Sequence, residues 1–218
     1  MDTPGYRDSS GRSLTDYPRP SVAVDTAVFT LDEHDGLLVL QVRRAAGRGW
    51  ALPGTFLHEG ETLADAVDRS LRAKANVSGL NPRQLHVFDD PARDDRGWVL
   101  SVAHLDVVRP ERLQSRIPDT TRLVPVHSPG RLIYDHADII ARAVEHLRVQ
   151  YADKPDPYGL LGDHFTIREL RFAHEQVAGR PLQRDWFRRI MEPQLVATGT
   201  VTSRGRGRPA ELFRRPAD

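Results

Sequence analysis

The sequence predicts an α+β protein, in which an α+β or α/β sandwich of strands and helices fills the first two thirds of the chain and a small helical unit with a hairpin follows. Three observations lead to this fold class. Runs of β-branched residues alternate with amphipathic helical segments up to about residue 151. A stretch rich in proline and glycine then interrupts the pattern, and two helices and two short strands are predicted after it. The 218 residues suffice for two small domains, at about 100–200 residues per domain.

The chain begins with a segment that has no periodic apolar pattern. Residues 1–20 contain three prolines and two glycines, and we expect them to form a flexible N-terminal arm. Two runs rich in β-branched residues, 22–31 and 37–42, flank a polar turn, which is the pattern of a β-hairpin. Further strands are expected at 85–88 and 98–108.

Two segments between and after these strands are predicted to be amphipathic helices. In 62–76, apolar residues recur at four-residue spacing, and Thr62 with Asp65 three positions later makes a capping box. The second helix, at about 137–151, also carries one apolar stripe. Strands combined with these helices favour a sandwich rather than a repeat array.

A change of composition follows the second helix. Lys154–Gly159 contains two prolines and a glycine, and we expect it to link two domains. Beyond it, Thr166 caps a helix that extends to about Val177, and a second helix covers about 183–191. Strands at 196–202 and 211–213 then flank an arginine- and glycine-rich tip, which completes the outline of a winged helix-turn-helix. The predicted division is an arm at 1–20, a first domain at 21–154 and a winged helix-turn-helix domain at 155–218.

The composition excludes several classes of protein. The chain has no cysteine, which rules out a disulfide scaffold, a cysteine-ligated zinc finger and a cysteine nucleophile. No run approaches the roughly 18 consecutive apolar residues of a membrane-spanning helix, and residues 1–20 lack the apolar core of a secretory signal. We therefore expect a cytoplasmic protein with no membrane contact.

Charge is distributed unevenly along the chain. Residues 1–154 hold 20 basic and 22 acidic side chains, whereas residues 155–218 hold 11 basic and 8 acidic ones. Within 184–215, eight arginines stand against three acidic residues. A near-neutral body with a basic end is expected when one domain binds a polyanion. The basic end is therefore the predicted DNA-binding part.

The second helix of the basic end has the pattern of a helix that reads bases in the major groove. Its apolar stripe, predicted to be buried, comprises Leu182, Trp186, Phe187 and Ile190. Arginine and glutamine on the other faces suit recognition of guanine and adenine, and the glycines of the hairpin tip allow close approach to a phosphate backbone. The residues predicted to contact DNA are Thr166, Gln183, Arg184, Arg188, Arg189, Arg204, Arg206 and Arg208.

The segment Leu52–Thr62, which leads into the first predicted helix, resembles the Nudix box, Gly-x5-Glu-x7-Arg-Glu-U-x-Glu-Glu-x-Gly-U with U aliphatic. The pattern begins at Thr55, and the lead-in Leu52-Pro53-Gly54 is also similar to that of the family. The matching positions are Glu61, Arg69, Leu71 and Val77. The resemblance implies a Nudix-like α/β/α sandwich for the first domain.

The departures from the box concern its metal chemistry. The three helix glutamates of the family fall on Ser70, Ala73 and Lys74, while its two glycines fall on Thr55 and Asn76. The resemblance implies that those glutamates hold magnesium in active hydrolases, and Mg²⁺ requires carboxylate or phosphate oxygen. We therefore expect no catalytic residue, no metal site and no cofactor. Catalysis through other carboxylates stays an alternative, and the candidates are Glu59, Glu61, Asp65 and Asp68.

A Nudix fold without its metal can still bind a nucleotide. Arg43 and Arg44 close the second strand and can pair with a diphosphate, because guanidinium groups match phosphate oxygens. Trp50 and Phe56 can stack on an adenine, although both rings can equally belong to the core. The predicted effector-binding residues are Arg43, Arg44, Trp50, Gly54 and Phe56.

Both halves together resemble the NrtR family of Nudix-related transcriptional regulators, over about residues 21–215. The resemblance rests on the altered Nudix box, on Tyr134–Ile140, on Arg180-Pro181-Leu182, on Phe187-Arg188-Arg189 and on Gly207–Leu212. It implies a homodimeric repressor of NAD biosynthesis or salvage genes that binds a palindromic double-stranded DNA operator. It also implies ADP-ribose or a related nucleotide as the effector.

Three alternatives stay open. Some members of that family respond to sugar metabolites, so the chain can instead regulate sugar-metabolism genes. It can also be a Nudix hydrolase of ADP-ribose-like nucleoside diphosphates with a basic accessory domain, although three metal carboxylates are missing. An RNA-binding module would need exposed aromatic rings for base stacking, and those of the basic end lie on predicted core stripes.

Overall fold

The structure is a computed structural model that describes residues 7–44, 49–202 and 209–216. Within these ranges, no helix is long and apolar enough to cross a membrane. Arg204, Arg206 and Arg208, predicted at the hairpin tip, lie outside the described residues. The described part of the N-terminal arm contains one short 3-10 helix at Leu14–Asp16, whose Leu14 is exposed.

A mixed sheet of seven strands forms the centre of the N-terminal part. Its strands are β1 (Ser21–Asp32), β2 (Gly36–Arg43), β3 (Trp50–Ala51), β4 (Gly54–Phe56), β5 (Arg83–Phe88), β6 (Val99–Val107) and β7 (Thr121–Pro125). The order is β3-β2-β1-β6-β5, with β4 paired to β1 and β7 paired to β2. β1 and β6 run parallel, and the other described pairs are antiparallel.

Two helices cover the two faces of this sheet, α1 (Leu63–Ala75) and α2 (His136–Gln150). Thr62 and Asp65 form the expected capping box at the start of α1, and Asn76 ends the helix in the left-handed region with φ 56°. α1 packs its apolar stripe on one face of β1 and β2, and α2 packs on the opposite face. The α/β/α sandwich is therefore confirmed.

The C-terminal part contains α3 (Ile167–Ala178), α4 (Arg184–Met191), β8 (Val196–Thr202) and β9 (Ala210–Arg214). β8 and β9 pair antiparallel, as the wing of the predicted winged helix-turn-helix requires. A small core joins these elements and comprises Phe165, Leu170, Phe187, Met191 and Phe213. Trp186 is a correction, because 42% of its surface is exposed although it was predicted to lie on the buried stripe.

Helix α3 also belongs to the core of the sandwich. Ala173 and Val177 are buried in the same cluster as the apolar face of α2. Gly36, which begins β2 with φ 77°, lies so close to Gln176 that a Cβ there would overlap the amide. The C-terminal part keeps its own small core, and α3 contributes residues to both cores. The two parts share α3.

The proline-rich segment predicted to be a linker forms a packed turn. The carboxylate of Asp156 is fully buried and accepts hydrogen bonds from the hydroxyl of Tyr151 at 2.8 Å and from the backbone of Leu160 at 2.9 Å. Asp156 itself has φ 49°, a conformation that non-glycine residues adopt at a cost. These contacts fix the path of the chain between α2 and α3.

Candidate functional site

A cavity of about 550 Å³ opens where β1, β4 and the second half of α1 meet the loops that precede β6 and α2. Its lining brings together residues from seven separate stretches of the sequence. The cationic ones are Arg43, Arg44, Lys74, Arg93 and Arg96, and the acidic ones are Asp25 and Asp94. The cavity therefore carries an excess of positive charge.

Asp25 on β1 is a buried carboxylate of this cavity. Its Oδ2 accepts a hydrogen bond from Ser101 Oγ at 2.6 Å, and its Oδ1 lies 3.4 Å from His136 Nε2. Because His136 Nδ1 accepts a hydrogen bond from the backbone N–H of Leu52 at 2.9 Å, the Nε2–H is directed to Asp25. Burial alone raises the pKa of Asp25, but His136, Ser101 and Arg93 outweigh it and hold that pKa below its ordinary value.

Gly54 packs directly against this carboxylate. A Cβ at this position would overlap Asp25 Oδ1 and come within 2.8 Å of the carbonyl oxygen of Val24. The carbonyl of Gly54 accepts a hydrogen bond from the ammonium of Lys74. The glycine of the Nudix lead-in thus allows Asp25 and Lys74 to approach the same short strand.

Arg93 is fully buried and its charge is balanced by carboxylates. Its Nε and Nη2 donate to the two oxygens of Asp135 at 2.7 and 2.6 Å, and Nη2 lies 3.6 Å from Asp25. Such a bidentate pair has fixed geometry. Arg93 therefore ties the loop before β6 to the start of α2.

Arg96 lies at the mouth of the cavity, held by two hydrogen bonds to the buried carboxylate of Asp94 at 2.9 and 2.6 Å. Its guanidinium carbon is 4.9 Å from the ring centroid of Phe56 and 4.8 Å from that of Tyr134. Tyr134 has φ 49°, which places its ring beside this arginine. The guanidinium of Arg96 thus lies over both aromatic rings at the mouth of the cavity.

The two charged positions that match the Nudix box have a structural role. Arg69 donates to both oxygens of Glu61 at 2.7 and 2.8 Å and also to Thr55 Oγ1 at 3.1 Å and the carbonyl of Phe56 at 2.9 Å. The hydrogen bonds from Arg69 lower the pKa of Glu61 to about 2. This pair fixes the loop between β4 and α1.

The residues present do not fit the magnesium that the Nudix fold implies. Ser70 is buried, while Ala73 and Lys74 line the cavity, so a methyl group and an ammonium stand where carboxylates would be required. In the part of the chain that the structure describes, no group of three or more histidine, cysteine, aspartate or glutamate side chains could hold a metal ion. The alternative carboxylates are partly engaged, since Asp65 caps α1 and Asp68 pairs with Arg72.

Four of the five predicted effector-binding residues line the cavity, namely Arg43, Arg44, Gly54 and Phe56. The fifth, Trp50, precedes the cavity residue Ala51, so strand alternation directs its ring to the other face. There the guanidinium carbon of Arg122 lies 4.3 Å from the ring centroid. The cavity also contains residues that were not predicted from the sequence to bind the effector, namely Asp25, Lys74, Arg93, Arg96, Tyr134 and His136.

A second feature is a groove of about 660 Å³ between α3, α4 and the wing strands. Four arginines line it, Arg168 and Arg171 from α3 and Arg184 and Arg188 from α4. Arg171 is bound to Glu175 at 2.8 Å and to the carbonyl of Leu182 at 3.1 Å. Arg168, which was not predicted to contact DNA, is an exposed cation of this groove.

The predicted DNA contacts divide into groove residues and helix caps. Arg184 and Arg188 share one face of α4, and Arg188 pairs with Glu192 at 2.6 Å. Thr166 lines the groove, but its hydroxyl accepts from the backbone of Glu169 and caps α3. The other positions differ in surroundings: Gln183 caps α4 by accepting from the backbone of Trp186, and Arg189 is exposed on another side of the helix.

A Nudix-type sandwich joined to a winged helix with an arginine-lined groove defines a DNA-binding regulator with a ligand cavity in its first domain. Comparison with protein families agrees. Residues 21–147 match the NUDIX domain, and residues 157–215 match the NrtR DNA-binding winged helix domain. The chain belongs to the NrtR family.

Similar proteins include two bacterial regulators. The chain is 29% identical over 210 residues to the ADPR responsive transcriptional repressor NtrR of Acinetobacter baylyi, covering 92% of this chain and 84% of that protein. It is 32% identical to Shewanella oneidensis NrtR in the crystal structure complexed with a 27mer DNA, with a TM-score of 0.74, covering 89% of this chain and 93% of that one. The NUDIX domain of the same Shewanella protein, complexed with ADP ribose, is 27% identical with a TM-score of 0.55, covering 63% of this chain and 95% of that one.

One enzyme is also similar over part of the chain. The ADP-ribose pyrophosphatase of Methanocaldococcus jannaschii is 29% identical over 126 residues, covering 57% of this chain and 73% of that protein. That similarity spans 126 residues, whereas the similarity to the Acinetobacter repressor spans 210. The similarity to the repressor thus extends over both parts of the chain, whereas the similarity to the enzyme covers 57% of it.

Proposed function

We propose that this protein is a transcriptional repressor that binds operator DNA through its winged helix and is controlled by ADP-ribose in its Nudix-like domain. The observation that carries the proposal is the pairing, on one chain, of an arginine-lined groove with a cationic cavity that lacks a carboxylate cluster among its described residues. The proposed division is the one predicted from the sequence, with a sensor at 21–154 and a DNA-binding domain at 155–218.

The groove is the proposed DNA interface. Arg184 and Arg188 are placed to enter the major groove with α4, and Arg168 is placed to neutralise a phosphate beside it. The tip arginines Arg204, Arg206 and Arg208 stay predicted contacts to the backbone or minor groove. A homodimer would set two such helices about 34–36 Å apart or at a multiple of that spacing, which matches a palindromic operator.

The cavity is the proposed effector site. Arg43 and Arg44 suit the diphosphate of ADP-ribose, because the molecule carries two adjacent phosphates and both arginines line the cavity. The rings of Phe56 and Tyr134 suit its adenine or ribose faces. We propose that ADP-ribose is bound and not hydrolysed, since neither Ala73 nor Lys74 can hold magnesium.

Helix α3 supplies the proposed coupling between the two sites. Its Ala173 and Val177 pack in the sandwich core, while its Arg168 lines the arginine-rich groove that is the proposed DNA interface. A ligand shifts the DNA-binding equilibrium only as far as it binds one arrangement of the chain better than the other. A conformational change of the sandwich on ligand binding would therefore move α3. In a homodimer this movement would alter the distance between the two α4 helices that bind the operator.

The genes under control are proposed to be those of NAD biosynthesis or salvage, in the cytoplasm of a bacterium. The test is selection of genomic DNA fragments by the purified full-length protein, followed by footprinting with and without ADP-ribose. Enrichment of palindromic sites upstream of NAD genes, with protection lost on adding ADP-ribose, is the expected result. Enrichment upstream of sugar-metabolism genes would indicate that the protein regulates those genes instead of NAD genes. Failure to enrich any site would contradict the repressor function.

A further inference from the structure

Lys74 holds an unusual place for one of only two lysines in the chain. It lies in the last turn of α1 and lines the cavity, where its ammonium donates a hydrogen bond to the carbonyl of Gly54. Burial lowers the pKa of Lys74, and the nearby carboxylate of Asp25 opposes that change. One hydrogen bond uses one of the three donors of an ammonium. The other two donors are available to a ligand in the cavity.

Some of the cations around Lys74 are paired with carboxylates and others are not. Arg93 is paired with Asp135 and Arg96 with Asp94, both through two short hydrogen bonds. Within the part of the chain that the structure describes, Lys74 has no carboxylate oxygen within 4 Å. Arg43 and Arg44, across the cavity, have none either, so an anion would find three cations whose charge is not already matched.

We propose that the ammonium of Lys74 supplies the positive charge that magnesium supplies in Nudix hydrolases. It contacts the phosphates of the effector, and the cavity binds its ligand without a divalent cation. The inference rests on the proposed function of the cavity as an ADP-ribose site. A divalent ion between carboxylates and a diphosphate would bring positive charge to this wall of the cavity, and the ammonium supplies it directly. The methyl group of Ala73 leaves the space beside it open.

The experiment is calorimetric titration of the full-length protein and its variants, with ADP-ribose and with inorganic pyrophosphate, in buffers containing either magnesium or EDTA. Lys74→Met removes the charge and keeps an unbranched side chain, and Lys74→Arg restores a cation. Arg72→Met is the matched control, because Arg72 lies on the same turn of α1 and pairs with Asp68 outside the cavity. Thermal unfolding checks that each variant is folded.

The expected result is equal affinity of the unchanged protein for ADP-ribose in magnesium and in EDTA. Lys74→Met should weaken binding about 10- to 100-fold, as is typical when a charge-assisted hydrogen bond is lost, whereas Lys74→Arg should recover part of it and Arg72→Met should bind normally. The inference is overturned if Lys74→Met binds as well as the unchanged protein, or if EDTA abolishes binding.

The two probes separate this inference from the proposed function. Binding of pyrophosphate that Lys74→Met loses, with no binding of ADP-ribose, would support the phosphate contact and contradict ADP-ribose as the effector. Binding of ADP-ribose with no effect of Lys74→Met would support the effector and contradict the role of Lys74. If neither probe binds in either buffer, both ideas are wrong.

Discussion

Arg215 Nη1 lies 2.6 Å from Asp156 Oδ2, and this ion pair joins the end of the wing to the turn that follows α2. The carboxylate is fully buried, and 28% of the arginine side chain is exposed. Nη2 of the same arginine donates to the carbonyl of Gly162 at 3.2 Å. One side chain near the C-terminus thereby holds the segment that connects the sandwich to the winged helix.

Replacement of Arg215 by alanine should destabilise the protein. The buried carboxylate of Asp156 would lose its charged partner, and a hydrogen bond to a charged group is typically worth about 1.5–3 kcal/mol. Urea unfolding followed by circular dichroism measures the loss. The matched control is Arg214→Ala, since Arg214 is exposed and its guanidinium donates to the backbone carbonyl of Arg215 at 3.4 Å rather than to a buried carboxylate. Equal stability of both variants would show that the pair is not structural.

The free energy of unfolding should decrease as the pH is lowered, because of the buried His174. Its ring packs against Tyr151 and Phe187, each with ring centroids 5.0 Å apart, and burial lowers its pKa to about 4. The unfolded chain therefore binds the proton first, so stability is full above about pH 6.5 and is lost as the pH falls from there to about 4. The change is on the order of 3 kcal/mol.

The measurement is urea unfolding at a series of pH values. His174→Gln should remove this pH dependence, while His34→Gln, at an exposed turn position, should keep it. A pH profile of His174→Gln that matches the unchanged protein would contradict the assignment.

Most of the fold could be predicted because it follows from local patterns. The apolar stripes, the Thr62 and Thr166 capping boxes and the Asp/Gly turn each act over a few residues, and the corresponding helices and long strands are confirmed. Strands β3, β4 and β7 were not predicted. They have two, three and five residues, which is too short for a recognisable pattern, and their pairing partners lie elsewhere in the sequence. The sharing of α3 between two cores is a tertiary property without a local signal.

The cavity could be predicted only in part for the same reason. The Nudix lead-in marked Gly54 and Phe56, but Asp25, Arg93 and His136 come from three distant segments and look like ordinary polar residues in isolation. Asp25 carries the one usable signal, a carboxylate in the middle of a strand whose neighbouring residues are mainly valine, alanine and threonine. A buried charge of that kind requires partners.

The protein should release no AMP from ADP-ribose in the presence of magnesium. Ala73 and Lys74 cannot bind the ion, and Glu61 is already held by two hydrogen bonds from Arg69. Chromatography of the reaction products measures this, with the Methanocaldococcus ADP-ribose pyrophosphatase as the positive control. Turnover at the ordinary enzyme rate of about 1 s⁻¹ or above would contradict the proposed loss of hydrolysis.

Arg168 should contribute to DNA binding without sequence preference. It is exposed in the groove beside α4, where a phosphate would meet its guanidinium. Arg168→Ala should weaken binding to the selected operator and to a scrambled duplex alike, and should flatten the slope of log K against log[salt] by about 0.9. Fluorescence anisotropy at three salt concentrations measures both quantities. An unchanged salt slope would exclude a phosphate contact at this position.

Arg184 should read sequence, whereas Arg189 should not contribute. Both are arginines of α4, but only Arg184 lines the groove with Arg188, and Arg189 lies five positions further on, about 140° around the helix from Arg184. Arg184→Ala should cost about 1–3 kcal/mol with the operator and relax specificity at one base pair. Arg189→Ala, which removes the same charge from the same helix, is the control and should leave operator affinity nearly unchanged. Affinities for operator variants with single base changes measure the specificity, and an equal loss in both variants would mean that α4 binds DNA through its overall charge rather than through the groove face.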